Sequence, residues 1–540
     1  MKDYTKKQKI LIVLGLTLFI LIGSGITYAA LTWATSNPIN IGLTSGCFEI
    51  NYTPGGAINN ANVEVMNEST LISNNKFTIT DGIALTYANI GIKSTCTIEG
   101  YGSLYLNVTS LSNAFSTGSS KGSLKYAILN NTSSVSTPSV SSLKGQSFDI
   151  VKKGTITATG TTEILKKQLS NSTQNKYLIV FYIDGSLIGN DVIGSTFAGN
   201  ISADAHQGTA PVNTVELLTD LYTNATKTTA TLDSVTYNLA SSVGLMNDRE
   251  GSSSVGADAG NIRYYGANPN NYIYFNCSDY KNQSSSTCET WRIIGIVDGK
   301  MKIIRGSQIG SYSWDTSDSS TNSGYGVNEW SQADLMKLLN SGYDSESVGG
   351  SLYWNAKSGT CYNGSSNATT SCNFTSTGLK NDTTRNLIAE TTYYTRGYSD
   401  SEIYVDAMYD KERVSGTVIT GVTPTRTLTW TGKIAIPYPS DYGYAADLSL
   451  CQKQLGSYND ATCTANNWMK NILGTSSYGG LLTPYSGNAY LAWYVYSSGD
   501  VYDNSRAYYA SGVAPVLSLT SELDIGSGSG ESNSPYQLSV

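Results

Sequence analysis

The sequence predicts a mostly β protein in two parts, an antiparallel β-sandwich followed by a disulfide-stapled α+β domain. Three observations carry that expectation: period-two alternation of apolar residues in the first half, strand-like segments interleaved with short helical ones in the second, and cysteines spaced as local pairs. Leu104, Leu106 and Val108 alternate with Tyr105, Asn107 and Thr109, while Phe77, Ile79, Ile83, Leu85 and Tyr87 keep the same period across an Asp81-Gly82 turn signal. Segments of this kind bury one face of a sheet. Tyr177 to Ile183 is apolar throughout and ends at Asp184-Gly185, the pattern of a strand covered on both faces. Thr162 to Leu169, with Ile164, Leu165 and Leu169, reads as a short helix, so the expectation is a sandwich with a small helical insert.

The second half changes character. Tyr272 to Phe275, Trp291 to Val297 and Met301 to Arg305 read as a meander of strands. Ser331-Gln332-Ala333-Asp334 then opens a helix through Leu335, Met336, Leu338 and Leu339, with Gly342 as its stop. Further helices are expected over Thr384 to Thr392 and around Asn467 to Leu473. The chain returns to β with Trp493 to Tyr496, Val501 to Tyr502 and Val513 to Leu519. Between the halves, residues 206–245 are rich in Thr, Ala and Asn and read as a connector, interrupted by a weak helix from Thr214 to Tyr222 with Val215, Leu218 and Leu221 on one face. The expected organisation is a signal peptide or N-terminal anchor over 1–30, the sandwich over 31–205, the connector over 206–245 and the α+β domain over 246–540.

Compartment follows from the N-terminus and the cysteines. Lys2, Lys6, Lys7 and Lys9 precede an apolar run from Ile10 to Ile22, and Thr27-Tyr28-Ala29-Ala30 supplies small residues for a signal peptidase. An uncleaved anchor is the other reading, and either one exports the remainder and confines membrane contact to this segment. Among 540 residues there are 8 cysteines and 1 histidine. Cys277 and Cys288, Cys361 and Cys372, and Cys451 and Cys463 form close pairs, leaving Cys47 and Cys96 as a fourth; four local disulfides are the simplest reading, with other connectivities open. Charged residues make up 14 %, against 39 Tyr and 53 Gly, so the surface is expected to hydrogen-bond rather than repel. A net charge of −7 and the absence of Lys and Arg clusters argue against nucleic acid as a partner.

Both halves carry resemblances. The export segment ending Gly25-Ile26-Thr27-Tyr28-Ala29, with Tyr177-Leu178-Ile179-Val180-Phe181-Tyr182-Ile183-Asp184-Gly185 and Phe197-Ala198-Gly199-Asn200-Ile201-Ser202-Ala203, resembles the TasA and camelysin group of Gram-positive surface proteins over residues 10–205. The resemblance implies a jelly-roll-like sandwich whose subunits assemble into matrix fibres by donating a strand. Cys47, Cys96 and the large C-terminal addition depart from that pattern. The second half, through Trp291-Arg292-Ile293-Ile294-Gly295, Pro439-Ser440-Asp441-Tyr442-Gly443-Tyr444-Ala445, Asn467-Trp468-Met469, Leu482-Thr483-Pro484, Ala492-Trp493-Tyr494-Val495 and Gly512-Val513-Ala514-Pro515-Val516-Leu517, resembles an uncharacterised domain common in exported proteins of Firmicutes and related gut bacteria. Its style is distantly similar to the C-type-lectin-like and formylglycine-generating-enzyme folds, a likeness of shape that carries no chemistry.

Residues that could carry chemistry are sparse. His206, the single histidine, falls in the expected connector without an orienting partner in the sequence, and neither a Cys-x-x-Cys pair nor a second histidine is present to complete a zinc site. No catalytic residue, metal or cofactor is therefore expected. Asp400, Glu402, Asp406, Asp410 and Glu412 cluster as a glycosidase pair would require, but Arg396, Lys411 and Arg413 sit among them as on a solvated surface. Asp315, Asp318 and Asn322 could offer oxygens to calcium without matching a loop motif.

Aromatics are the stronger lead. Trp314, Trp330, Trp354, Trp430, Trp468 and Trp493 lie in the second half with Tyr485, Tyr490, Tyr494, Tyr496, Tyr508 and Tyr509, interleaved with Asn, Ser and Asp. Ring faces take the apolar C–H groups of sugars while polar neighbours take hydroxyls. Trp468 and Trp493 read as core. Asp441, Tyr442 and Tyr444, and Tyr485 with Asn488, read as loops and rank first as a contact surface, with Trp314 and Trp354 beside them. The expected role is binding and adhesion at the cell surface or in an extracellular matrix, with glycans or other surface proteins as partners and self-assembly open. A secreted carbohydrate-active enzyme using carboxylates and a pilin-like fibre subunit are the alternatives.

Overall fold

A computed structural model describes residues 28–31, 48–55, 61–94, 100–169, 174–207, 210–248, 260–316 and 324–540. Residues 1–27 of the expected signal segment, Cys47, Cys96, Asp318 and Asn322 lie outside the described residues. The protein is mostly β, with 42 % strand and 15 % helix. It divides into two compact units, Met1–Ala210 and Pro211–Val540. Among the described residues no helix is long and apolar enough to cross a membrane.

In the first unit, Gln174–Asp184 is the central strand, paired antiparallel with Ala84–Ser94 on one side and Leu124–Asn130 on the other. Its side chains feed two cores. Ile179, Phe181 and Ile183 pack with Leu104, Leu106, Val108 and Ile128, while Leu178, Val180 and Tyr182 pack with Phe77, Ile79 and Phe148. Alternation sends successive residues to opposite faces, so an uninterrupted apolar run is what a strand between two cores requires. Each such side chain contributes about 1.5–3 kcal/mol by leaving water.

Thr162 to Leu169 is not a helix. It belongs to the strand Gly160–Leu169, paired with Gly100–Leu111. A bulge between Glu163 and Leu165 turns both Ile164 and Leu165 inward, and this doubled burial imitates helical spacing in the sequence. His206 sits in the strand Thr196–Gln207 opposite Tyr101, so the sheet extends into the expected connector.

From Pro211 onward that connector belongs to the second unit. Val212–Asn213 pairs with Asp524–Ser527, and the Asn213 side chain caps the helix Thr214–Asn224, whose Leu218 and Tyr222 enter the core. Thr228–Leu232 and Val235–Ala240 form a hairpin turned at Asp233 and Ser234, both at positive φ. Ala230, Leu232, Tyr237 and Leu239 supply its buried face; the Thr-rich composition marks only the wet face.

That hairpin starts a nine-stranded sheet that runs through Leu245–Asn247, Ile262–Tyr264, Glu289–Val297, Lys300–Arg305, Val516–Ser518 and Ile434–Ala435, with Tyr272–Phe275 also on Glu289–Val297. One face carries the core around Trp291, Ile293 and Ile303 with the helix Asp334–Leu339. The other carries the core around Ile294, Ile304 and Val516 with the helices Val405–Asp410, Pro439–Tyr444 and Lys470–Leu473. The helix expected from Thr384 to Thr392 occupies only Asp382–Asn386, because Thr391–Tyr394 pairs as a strand with Thr429–Gly432.

Among the described residues three disulfides form, Cys277–Cys288, Cys361–Cys372 and Cys451–Cys463, each within the second unit. Cys361–Cys372 joins the hairpin Ser358–Gly364 and Ala368–Asn373 across a sequence separation of 11. Closing so short a loop restricts the unfolded chain by about 3 kcal/mol. The double variant Cys361→Ser, Cys372→Ser should lose about that much in denaturant unfolding; unaltered stability would mean that the hairpin ladder alone holds this segment.

Candidate functional site

Asp441, Tyr442 and Tyr444 form no contact surface. They lie in the helix Pro439–Tyr444, and all three are buried. Pro, Ser, Asp and Gly are turn formers, but the same residues open helices: Pro439 occupies the first turn, and the Asp441 carboxylate accepts the Tyr438 N–H at 3.0 Å. Trp314 is 6 % and Trp354 9 % exposed, both in the core. Tyr485 and Asn488 remain half-buried. Asn488 Oδ1 accepts the N–H groups of Tyr490 and Leu491, and the carbonyls of Tyr485 and Asn488 accept from Asn328 Nδ2, so this loop is tied to itself and to Asn328.

Asp441 instead centres a buried ionic network. Arg263 Nη1 donates to Asp441 Oδ1 at 2.9 Å, Lys302 Nζ donates to Oδ2 at 2.5 Å, and Arg263 Nε reaches Asp248. Burial by itself would raise the Asp441 pKa, yet Lys302 and Arg263 hold it well below the usual carboxylate range. Nearby, Glu412 accepts from the Ser440 N–H and hydroxyl and from Arg413 Nη1 at 3.0 Å. Burial prevails there and pushes Glu412 up to about 7.

The remaining carboxylates of the sequence cluster do not converge on a site. Asp400 accepts the Glu402 N–H, Asp410 accepts the Ser415 hydroxyl, and Asp406 is buried. Asp315 accepts the Val327 N–H at 2.7 Å.

A group of partly exposed tyrosines, with the buried Tyr494 among them, lines one face of a five-stranded sheet, ordered Ser311–Ser313, Ala510–Gly512, Tyr478–Pro484, Leu491–Tyr496 and Val501–Arg506. Trp493, Val495 and Val501 turn into the core. Tyr494 and Tyr496 alternate with them and face Tyr502 and Tyr478 across the register. Ring centroids lie 5.1 Å apart for Tyr478 and Tyr494, 5.5 Å for Tyr478 and Tyr496, and 6.2 Å for Tyr494 and Tyr502, in edge-to-face or tilted geometry. The Tyr494 hydroxyl donates to Asn504 Oδ1 at 3.2 Å.

Along Val501–Arg506 the same face runs from Tyr502 through Asn504 to Arg506, about 13 Å at about 3.3 Å per residue. Arg506 stacks over Tyr325 at 4.1 Å and donates to the hydroxyls of Tyr508 and Tyr509. Tyr490 and Tyr508 flank Tyr325 at 5.0 and 5.6 Å. Tyr496 is 38 % and Tyr509 43 % exposed. Tyr325, Tyr478, Tyr502 and Arg506 were not predicted from sequence; the signal was the alternation of Tyr494 and Tyr496 with Trp493 and Val495, which marks a strand with one apolar and one tyrosine face.

No family model and no curated protein matches the chain.

Two expected outcomes test the network. Asp441→Ala leaves Arg263 and Lys302 buried without their shared partner and should cost about 3–5 kcal/mol in denaturant unfolding, against under about 1 kcal/mol for the exposed Tyr496→Ala. Glu412, with its folded pKa above the usual 4.5, keeps a proton that the unfolded chain releases. Its contribution therefore falls as pH rises from about 4.5 through about 7, by up to about 3 kcal/mol. Melting temperatures across this range should show that slope in the wild type and a flatter one in Glu412→Gln.

Proposed function

We propose that the chain is an exported surface or matrix protein that acts by adhesion, its second unit taking up glycans on the tyrosine face. The observation that carries this reading is the strip from Tyr478 and Tyr496 through Tyr502 and Asn504 to Arg506 and Tyr509, backed by the buried Tyr494. It offers ring faces to sugar C–H groups, and amide, hydroxyl and guanidinium groups to sugar hydroxyls. Edge contacts within the strip hold the rings in place, so little side-chain entropy is lost on binding. Arg506 is the one basic residue of the strip and Asp500 and Asp503 lie in the adjoining segment, a balance unsuited to a polyphosphate backbone. Three disulfides and a surface of Ser, Thr, Asn and Tyr suit an oxidising exterior.

A fibre subunit is the second reading, favoured by one feature of the first unit. Tyr28–Leu31 lies between Thr196–Gln207, to which it is parallel, and Ala61–Met66, to which it is antiparallel. In a chain that retains its N-terminal segment as an anchor, these four residues close a gap in a sheet, and the same segment of a second copy offers the same backbone hydrogen bonds.

The purified full-length secreted chain on a broad glycan array should bind polysaccharide, and Tyr496→Ala with Tyr502→Ala should weaken binding at least tenfold. Absence of binding, or binding unchanged in the double variant, overturns the glycan reading. Elongation into fibres by a chain that binds no glycan favours the second reading instead.

A further inference from the structure

A cleft of about 380 Å³ opens elsewhere in the second unit, between the turn Ser241–Gly244, the loop 266–270, Asp447 and Ser529. We infer that it is a separate site for a small neutral saccharide, a mono- or disaccharide end rather than a stretch of chain. Its volume lies at the lower end of the range of small-molecule sites, about 300–1,000 Å³. Tyr264, Tyr265 and Tyr536 line it, all three buried, and their hydroxyls are committed within the protein: Tyr265 donates to Ser241 Oγ at 3.1 Å, and Tyr264 and Tyr536 interact with each other. What these residues contribute to the lining is therefore chiefly aromatic.

Polar groups complete it. Asp447 Oδ1 accepts from the Ser449 N–H and hydroxyl, while Oδ2 has no protein partner among the described residues. Asn268 uses its oxygen for the Tyr272 hydroxyl at 2.9 Å, leaving its amide N–H₂ to donate, and Ser242 and Ser529 add exposed hydroxyls. Donors, one strong acceptor and rings are the complement of a sugar. Lys and Arg are absent from the lining, and Asp447 repels anions, so phosphorylated or acidic sugars are disfavoured.

The loop is held before any ligand arrives. Arg292 donates to Asn271 Oδ1 at 2.5 Å and to the Pro269 carbonyl at 3.3 Å, and stacks on Tyr272 at 3.7 Å and Trp468 at 5.0 Å. Burial brings its pKa down to about 10, which leaves it charged at neutral pH. The Gly266 N–H donates to the Ala445 carbonyl and the Trp468 N–H to the Gly266 carbonyl, so the first residue of the loop is fixed through both of its backbone groups. A pre-organised site of this kind loses little entropy when a ligand orders it.

The cleft is lined by none of the residues of the tyrosine face, so substitutions in one leave the other intact. The full-length secreted chain is titrated by calorimetry with glucose, galactose, N-acetylglucosamine, lactose, maltose and cellobiose, and with glucuronic and N-acetylneuraminic acids. The expected result is binding of at least one neutral sugar and weaker binding of the acids. Ser242→Trp, which fills the cleft from an exposed position, and Asp447→Asn should each reduce that binding at least tenfold, while Tyr496→Ala with Tyr502→Ala leaves it unchanged. Binding to none of the panel, equal binding of the acids, or binding indifferent to Ser242→Trp overturns the cleft as a saccharide site. Loss confined to the tyrosine variant also overturns it, while leaving the glycan reading of the tyrosine face intact.

Discussion

The second unit depends on one buried carboxylate. Asp441 joins the sheet, through Arg263 and Lys302, to the helix Pro439–Tyr444. A fully buried ion pair contributes little net stability against an apolar substitute, but breaking one is costly, so its effect is to permit a single placement of that helix. From there two connections spread. The Tyr442 hydroxyl donates to the Gly499 carbonyl at 2.8 Å, in the turn joining two strands of the tyrosine face. The Ala445 carbonyl accepts from Gly266, at the start of the cleft loop. Both surface regions are thus referred to the same internal charge, and residues expected at the surface instead position its loops from within.

How far the sequence discloses this architecture depends on which physical signal each segment carries. Gln174–Asp184 was legible because seven consecutive apolar residues leave no wet face. The helix at Asp334 was legible from its spacing and its stop, and the local cysteine pairs from their separations. Gly160–Leu169 was misread because a bulge breaks period two, and bulges arise from pairing with a neighbour distant in sequence. The hairpin at Asp233 was missed because its Thr residues mark the solvent side of strands as readily as a linker.

The candidate surface was legible only in composition. Tyr490, Tyr494, Tyr496, Tyr508 and Tyr509 stand out as an aromatic cluster, yet which of the second unit's rings face water depends on the ladder that pairs Leu491–Tyr496 with Val501–Arg506. Asp441 and Tyr442 share the residue types of a binding loop. Only the partners Arg263 and Lys302, 178 and 139 positions away, distinguish a buried helix start from an exposed turn.

The doubly covered strand of the first unit bears on how the chain reaches its folded state. Tyr177 to Ile183 has the low charge and high β-propensity of segments that stack into cross-β aggregates when left uncovered. Its partners Ala84–Ser94 and Leu124–Asn130 lie some 50 to 90 positions upstream and have left the ribosome first. They are therefore already present when this hydrophobic stretch emerges, and the order of synthesis or translocation shortens the time during which it lacks a cover. Lys176 and Asp184, at its two ends, act as charged gatekeepers during that interval.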